Sequence, residues 1–107
     1  MKQLINLTPH MINIYSNNQI IKSIPSTGVA RVVTEKNIVN QINGIDVITI
    51  LMKEVIGLPE QKEDIYYIVS RAVAENSDRN DLLIPSETIR DSEGKIIGCS
   101  SFSIIKK

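Results

Sequence analysis

The sequence predicts an α+β fold that is mostly antiparallel β, with about seven strands and one or two short helices in a single domain spanning residues 1–107. Three observations lead there. Apolar residues make up 42% of the chain and isoleucine dominates them, and β-branched side chains favour pleated, half-buried surfaces. Short apolar runs alternate with turn chemistry along the whole length. The connections between those runs are too short for repeated crossovers, which favours antiparallel pairing. A chain of 107 residues also has the ordinary size of one domain with one core.

Residues 4–7 form a first short apolar run. Thr8-Pro9-His10 interrupts it, because Pro9 donates no backbone hydrogen bond and holds Thr8 extended. Residues 11–15 and 19–24 flank Ser16-Asn17-Asn18, and Asn tolerates the left-handed backbone of a tight turn, so a β-hairpin is expected over residues 11–24. Pro25-Ser26-Thr27-Gly28 is the next turn. Residues 29–34 read as a strand. Residues 36–41 and 45–52 should pair across Asn43-Gly44, the strongest short hairpin signal in the chain. Residues 53–56 continue that strand or bulge, and Gly57-Leu58-Pro59 ends it.

Residues 61–64 are a charged loop. Ile65-Tyr66-Tyr67-Ile68-Val69 is the clearest buried strand, and Arg71-Ala72-Val73-Ala74-Glu75 reads as a short helix capped by Ser70. A polar loop over 77–81 returns to the core at 81–85, and residues 87–90 fit a strand or a loop. Ser92-Glu93-Gly94 reads as a turn into a last strand over 95–105, with Gly98 and Ser100-Ser101 marking a bulge.

Composition narrows the function classes. Twelve basic and twelve acidic residues cancel, whereas a protein gripping a long nucleic acid carries a basic excess to displace counterions. Aromatics are only 4%, too few for a base-stacking platform. Apolar runs fall far short of the roughly 20 residues needed to span a bilayer, so no membrane role is expected. A single cysteine, Cys99, and no signal peptide suit the reducing cytoplasm of a bacterial host.

Candidate chemistry is sparse. One His and one Cys cannot supply a structural zinc site, and Asp78-Arg79-Asn80-Asp81 lacks the turn glycine of a calcium loop, so no metal or other cofactor is expected. Cys99 and His10 could pair as nucleophile and base, but a small thiol in a strand is more often a packing residue. The carboxylates Glu60, Glu63, Asp64, Glu75 and Asp78 sit in polar stretches that leave them solvated, so no catalytic residue is assigned.

Anion binding has more support. Ser70 and Arg71 stand at a helix start, where unpaired amides carry partial positive charge; Ser70 could equally be a plain cap. Ser26 and Thr27 offer hydroxyls, Gly28 permits close backbone approach, and Arg31 can fork onto phosphate oxygens, although an ordinary turn explains the first three. Arg79 and Arg90 each neighbour an aspartate, so local salt bridges explain them equally well.

Taken in order, Asn6-Leu7-Thr8-Pro9-His10, Ile24-Pro25-Ser26-Thr27-Gly28, Ala30-Arg31-Val32, Gly57-Leu58-Pro59-Glu60, Tyr66-Tyr67-Ile68-Val69-Ser70, Arg79 with Asp81-Leu82-Leu83, Pro85, Arg90-Asp91 and Gly94-Lys95-Ile96-Ile97-Gly98 resemble a family of small proteins encoded mainly by bacteriophages and prophages. The resemblance covers nearly the whole chain. It departs at Ser86-Glu87-Thr88, where relatives often carry a longer Gly/Pro/Thr segment. By analogy the chain looks like a phage anti-defence sponge, which sequesters a cyclic nucleotide or cyclic ADP-ribose type messenger of bacterial immunity and does not degrade it. The analogy implies a homo-oligomer. It gives Arg31, Arg71, Arg79 and Arg90 to phosphates, and hydrogen bonding to Thr8, His10, Ser26, Thr27, Ser70 and Asn80 around Gly28. Two other classes compete: a virion or assembly component that uses strand edges for protein contacts, and a small hydrolase with His10 as base.

Overall fold

The computed structural model describes residues 2–106. Its eight strands and one five-residue helix make the protein largely β. The first strands are β1 (Gln3–Asn6), β2 (Ile12–Ser16) and β3 (Gln19–Ile24). The long β4 (Arg31–Ile42) and β5 (Ile45–Ile56) follow, then β6 (Ile65–Ile68), α1 (Arg71–Glu75), β7 (Leu82–Arg90) and β8 (Ile96–Ser103). Six strands form one sheet in the order β1-β6-β7-β8-β2-β3, and β4 and β5 form a separate two-stranded ribbon.

Two hairpins follow from asparagine. Asn17 and Asn18 take φ of 50° and 63°, and Asn43-Gly44 takes 52° and 78°. Two consecutive positive φ values give the primed turn whose twist matches that of the flanking strands. The helix lies where its cap signal puts it: the Ser70 side chain accepts from the Val73 amide, and Asn76 closes the other end by donating to the Ala72 carbonyl.

The antiparallel expectation holds only in part. β2–β3, β4–β5 and β7–β8 are antiparallel, while β1–β6, β6–β7 and β2–β8 run parallel. Short loops dictate the pairing of neighbours along the chain but say nothing about strands far apart in it. β1 meets β6 across 62 residues, Gln3 opposite Ile65, and α1 lies in the short crossover between the parallel β6 and β7. The two separate strands expected over 29–41 are one, β4, because residues 34–36 pair without a break with β5.

Alternation along β6 divides the interior. Tyr67 and Val69 enter a cluster with Leu7, Ala30, Val73, Ala74, Leu82 and Ile84, under α1. Ile68 points the other way, toward Ile12, Ile24 and Cys99. Ile68, Val69 and Val73 are fully buried, and each such side chain contributes about 1.5–3 kcal/mol through the water it escapes. The sheet curls until its two ends touch: Asn6 bridges to Ser26, the Thr27 amide donates to the Asn6 carbonyl, and the Ala30 amide donates to that of Leu7.

The ribbon departs from this body. A compact chain of this length has a radius of gyration near 13 Å, and the observed value is 16.7 Å. Val32 and Val55 at its base pack on the first cluster, but from Thr34 to the tip and back to Glu54 only Val47 is even half-buried. Gly57 turns the chain back at φ 87°, where a Cβ would lie 2.6 Å from the Val29 carbonyl oxygen. No helix among the described residues is long and apolar enough to cross a membrane.

Candidate functional site

Asn6 is completely buried, yet it is polar. Its amide nitrogen donates to the carbonyls of His10 (2.8 Å) and Ile24 (2.9 Å), and its side-chain oxygen accepts from the Thr8 amide (2.9 Å) and the Thr8 hydroxyl (2.6 Å). Burial without such partners would be costly. Ser26 extends the knot by donating to the Thr8 carbonyl (2.6 Å), and Thr27 donates to the Asn6 carbonyl. Thr8, Ser26 and Thr27 thus spend their hydroxyls on the closure of the sheet, and a Cβ added at Gly28 would meet the Leu7 side chain at 3.5 Å, an ordinary contact. In the sequence Asn6 figures only in the motif of the resemblance, not among the binding candidates. An apolar-flanked Asn two positions before Thr-Pro was the available signal, since Asn bonds readily to backbone two residues on.

The arginines are dispersed. Arg79 grips Asp81 through two bonds (3.0 and 2.7 Å), donates to the Pro59 carbonyl (2.6 Å) and lies 5.6 Å over the Tyr67 ring. Asp81 is only 4% exposed, so this pair is a clamp on the loop before β7. Its hydrogen bonds to Asp81 raise the Arg79 pKa further, overcoming the opposing effect of burial. Arg71 pairs with Glu75 one helical turn on, at the surface. Arg90 donates to the Gly94 carbonyl in the β7–β8 turn, and Arg31 is exposed at the base of the ribbon. Asn80 accepts from Gln61, and Ser70 caps α1. None of the four recesses described below is lined by more than one arginine. Within one chain, therefore, the guanidinium groups do not converge on one of these recesses.

What the fold does build is a recess between β2 and β8. These strands pair at one position, Ile14 opposite Cys99. Gly98 allows the approach, since a Cβ there would lie 2.5 Å from the Asn13 carbonyl oxygen and from the Tyr15 ring. Before that junction a cavity of about 510 Å³ opens, lined by residues 10–13 and 95–99 together with Pro85 and Thr88. It is larger than the recesses beside Tyr15 (about 410 Å³), Lys62 (about 220 Å³) and Arg79 (about 240 Å³).

Comparison with known protein families, curated proteins and solved structures finds no match.

Chemistry must then be read from the recess itself. Its walls are apolar, from Met11, Ile12, Pro85, Ile96 and Ile97, and it carries two basic side chains, His10 and Lys95. Asn6 and Thr8 pin the His10 carbonyl from behind, so the knot sets where the imidazole begins. Lys95 takes part in none of the ion pairs formed among the described residues. Cys99 lines the same recess but is 1% exposed, and burial raises its pKa, partly offset by backbone hydrogen bonds with Ser86 and Ser101. A thiol held that way is a weak nucleophile, because the thiolate is the reactive form. Among the described residues no three His, Cys, Asp or Glu side chains are grouped to hold a metal ion.

Proposed function

We propose that the chain is a phage anti-defence protein that binds and sequesters a small phosphate-containing messenger, a cyclic oligonucleotide or a cyclic ADP-ribose isomer, and releases it unaltered. The observation that supports this is the recess between β2 and β8. Its volume, about 510 Å³, lies in the 300–1,000 Å³ range of small-molecule sites, and such sites are mostly apolar with a few placed polar groups. The aliphatic walls suit the faces of a base and sugar, and Lys95 with His10 supplies charge-assisted hydrogen bonds to a phosphate. This moves the phosphate contacts away from Arg71, Arg79 and Arg90, which have partners of their own, and keeps His10 among the binding residues.

Calorimetric titration with cyclic dinucleotides and cyclic ADP-ribose isomers tests this, with chromatography of the ligand afterwards. Binding with full recovery of intact ligand is expected. Lys95→Ala should weaken binding about tenfold, the equivalent of one lost charge-assisted bond of roughly 1.4 kcal/mol. Failure of every ligand to bind would refute the proposal, and hydrolysis would make the protein an enzyme. The reading as a virion or assembly component has one observation in its favour, the exposed apolar ribbon.

A further inference from the structure

The β4–β5 ribbon carries large apolar side chains that nothing among the described residues covers. Ile38, Val39, Ile42, Ile45, Ile48, Ile50, Leu51 and Met52 are each between 44% and 69% exposed. Register sorts them onto faces. On one face lie the pairs Thr34/Met52, Lys36/Ile50 and Ile38/Ile48, continuous with Val32/Val55 at the base, which pack on the core. Alternation along β5 sends Leu51, Val47 and Ile45 to the opposite face, with Ile42 beside Ile45. The apolar interior of the body therefore runs out along one face of the ribbon, and the other face is apolar toward the tip.

We infer that this ribbon is an arm that a second copy of the chain covers, in a two-fold dimer in which each protomer gives and receives an arm. Area supports the assignment. At roughly 100 Å² for each large apolar side chain, eight of them present about 800 Å², which is one partner's share of a standard stable interface. Reach supports it too: the exposed part of β4 extends about 30 Å at 3.3 Å per residue, too far to fold back on its own base. Charge does not oppose it, because Arg31, Lys36 and Lys53 balance Glu35, Asp46 and Glu54, and two arms meet without net repulsion. An isolated two-stranded hairpin is marginal in water, so the arm needs cover in every molecule, and only another copy is present at matching concentration whenever the chain is. Apolar side chains on both faces call for an arm held between two surfaces: the partner's arm on one side and its body on the other. The inference is independent of the recess and of any ligand.

Sedimentation equilibrium of the full chain at 1–100 µM, paired with hydrogen exchange, tests it. A particle of twice 12.0 kDa is expected. Amides of residues 36–50 should be protected in it and lose that protection on dilution. The double variant Ile48→Lys, Ile50→Lys should raise the dimer dissociation constant at least 100-fold. A monomer throughout the range overturns the inference, even if it captures another protein or a lipid surface. So does a dimer whose arm amides exchange as fast as those of a free hairpin, or a folded double variant that dimerises normally. Should the variant not fold, the exchange pattern of the unaltered protein decides alone.

Discussion

Removal of the Asn6 side chain measures what holds the curled sheet shut. Asn6→Ala deletes four hydrogen bonds of 2.6–2.9 Å from a position with no solvent exposure. Each is worth about 0.5–1.5 kcal/mol net, and the Ile24 carbonyl is left buried without that partner, so a loss of about 3 kcal/mol is expected. That is a large fraction of the roughly 5–15 kcal/mol by which domains are stable. In urea, at a slope of about 1.5 kcal/mol/M, the midpoint should fall by roughly 2 M. Asn6→Asp sharpens the test, because it sets a carboxylate oxygen against the two carbonyls that the amide nitrogen now serves, those of His10 and Ile24. Such an aspartate has its folded pKa raised above the unfolded value of about 3.9. Its penalty is full above the folded pKa and is relieved as pH falls toward the unfolded one. Asn6→Asp should therefore be less stable than Asn6→Ala at pH 7, and the gap should close toward pH 4. An Asn6→Asp protein as stable as the original at pH 7, or a gap that widens in acid, refutes the knot. Protein concentration is held fixed throughout, since assembly shifts apparent stability.

Two further outcomes follow. Arg79→Ala leaves the nearly buried Asp81 without its counter-charge and should cost about 2–4 kcal/mol in urea denaturation; Arg79→Lys should lose less, and a cost under about 0.5 kcal/mol would return Arg79 to the pool of free phosphate binders. The Cys99 thiol, buried and with its pKa raised, should react with an alkylating reagent at pH 8 at least ~100-fold more slowly in the native protein than in urea. Comparable rates would show an open, activated thiol and favour nucleophilic chemistry beside His10.

The local devices were legible in the sequence because they are written in adjacent residues. Asn43-Gly44 specifies its turn through backbone freedom alone, and Ser70 caps the five-residue helix by accepting from the amide three residues on. The parallel pairings were not, since nothing local in residues 3–6 names β6 as their neighbour. Arg79 illustrates the same divide at the level of a site. Its neighbour Asp81 can be read from the sequence, but the Pro59 carbonyl and Tyr67 ring that make it a clamp come from elements brought together only by the fold. The recess at His10 and Lys95 joins segments 85 positions apart, so its existence depended on the splaying of two strands that share a single register pair.

The pairing of β1 with β6 fixes the order in which a nascent chain can mature. Gln3 meets Ile65, so about 60 further residues must leave the ribosome first, a wait of roughly 3–12 s at cellular rates of synthesis. During it β1 stays without its lateral neighbour, while the Asn43-Gly44 hairpin needs only its own two strands and zips within microseconds of emerging. β1 is thus locked in place only after a partner made about 60 residues later has emerged.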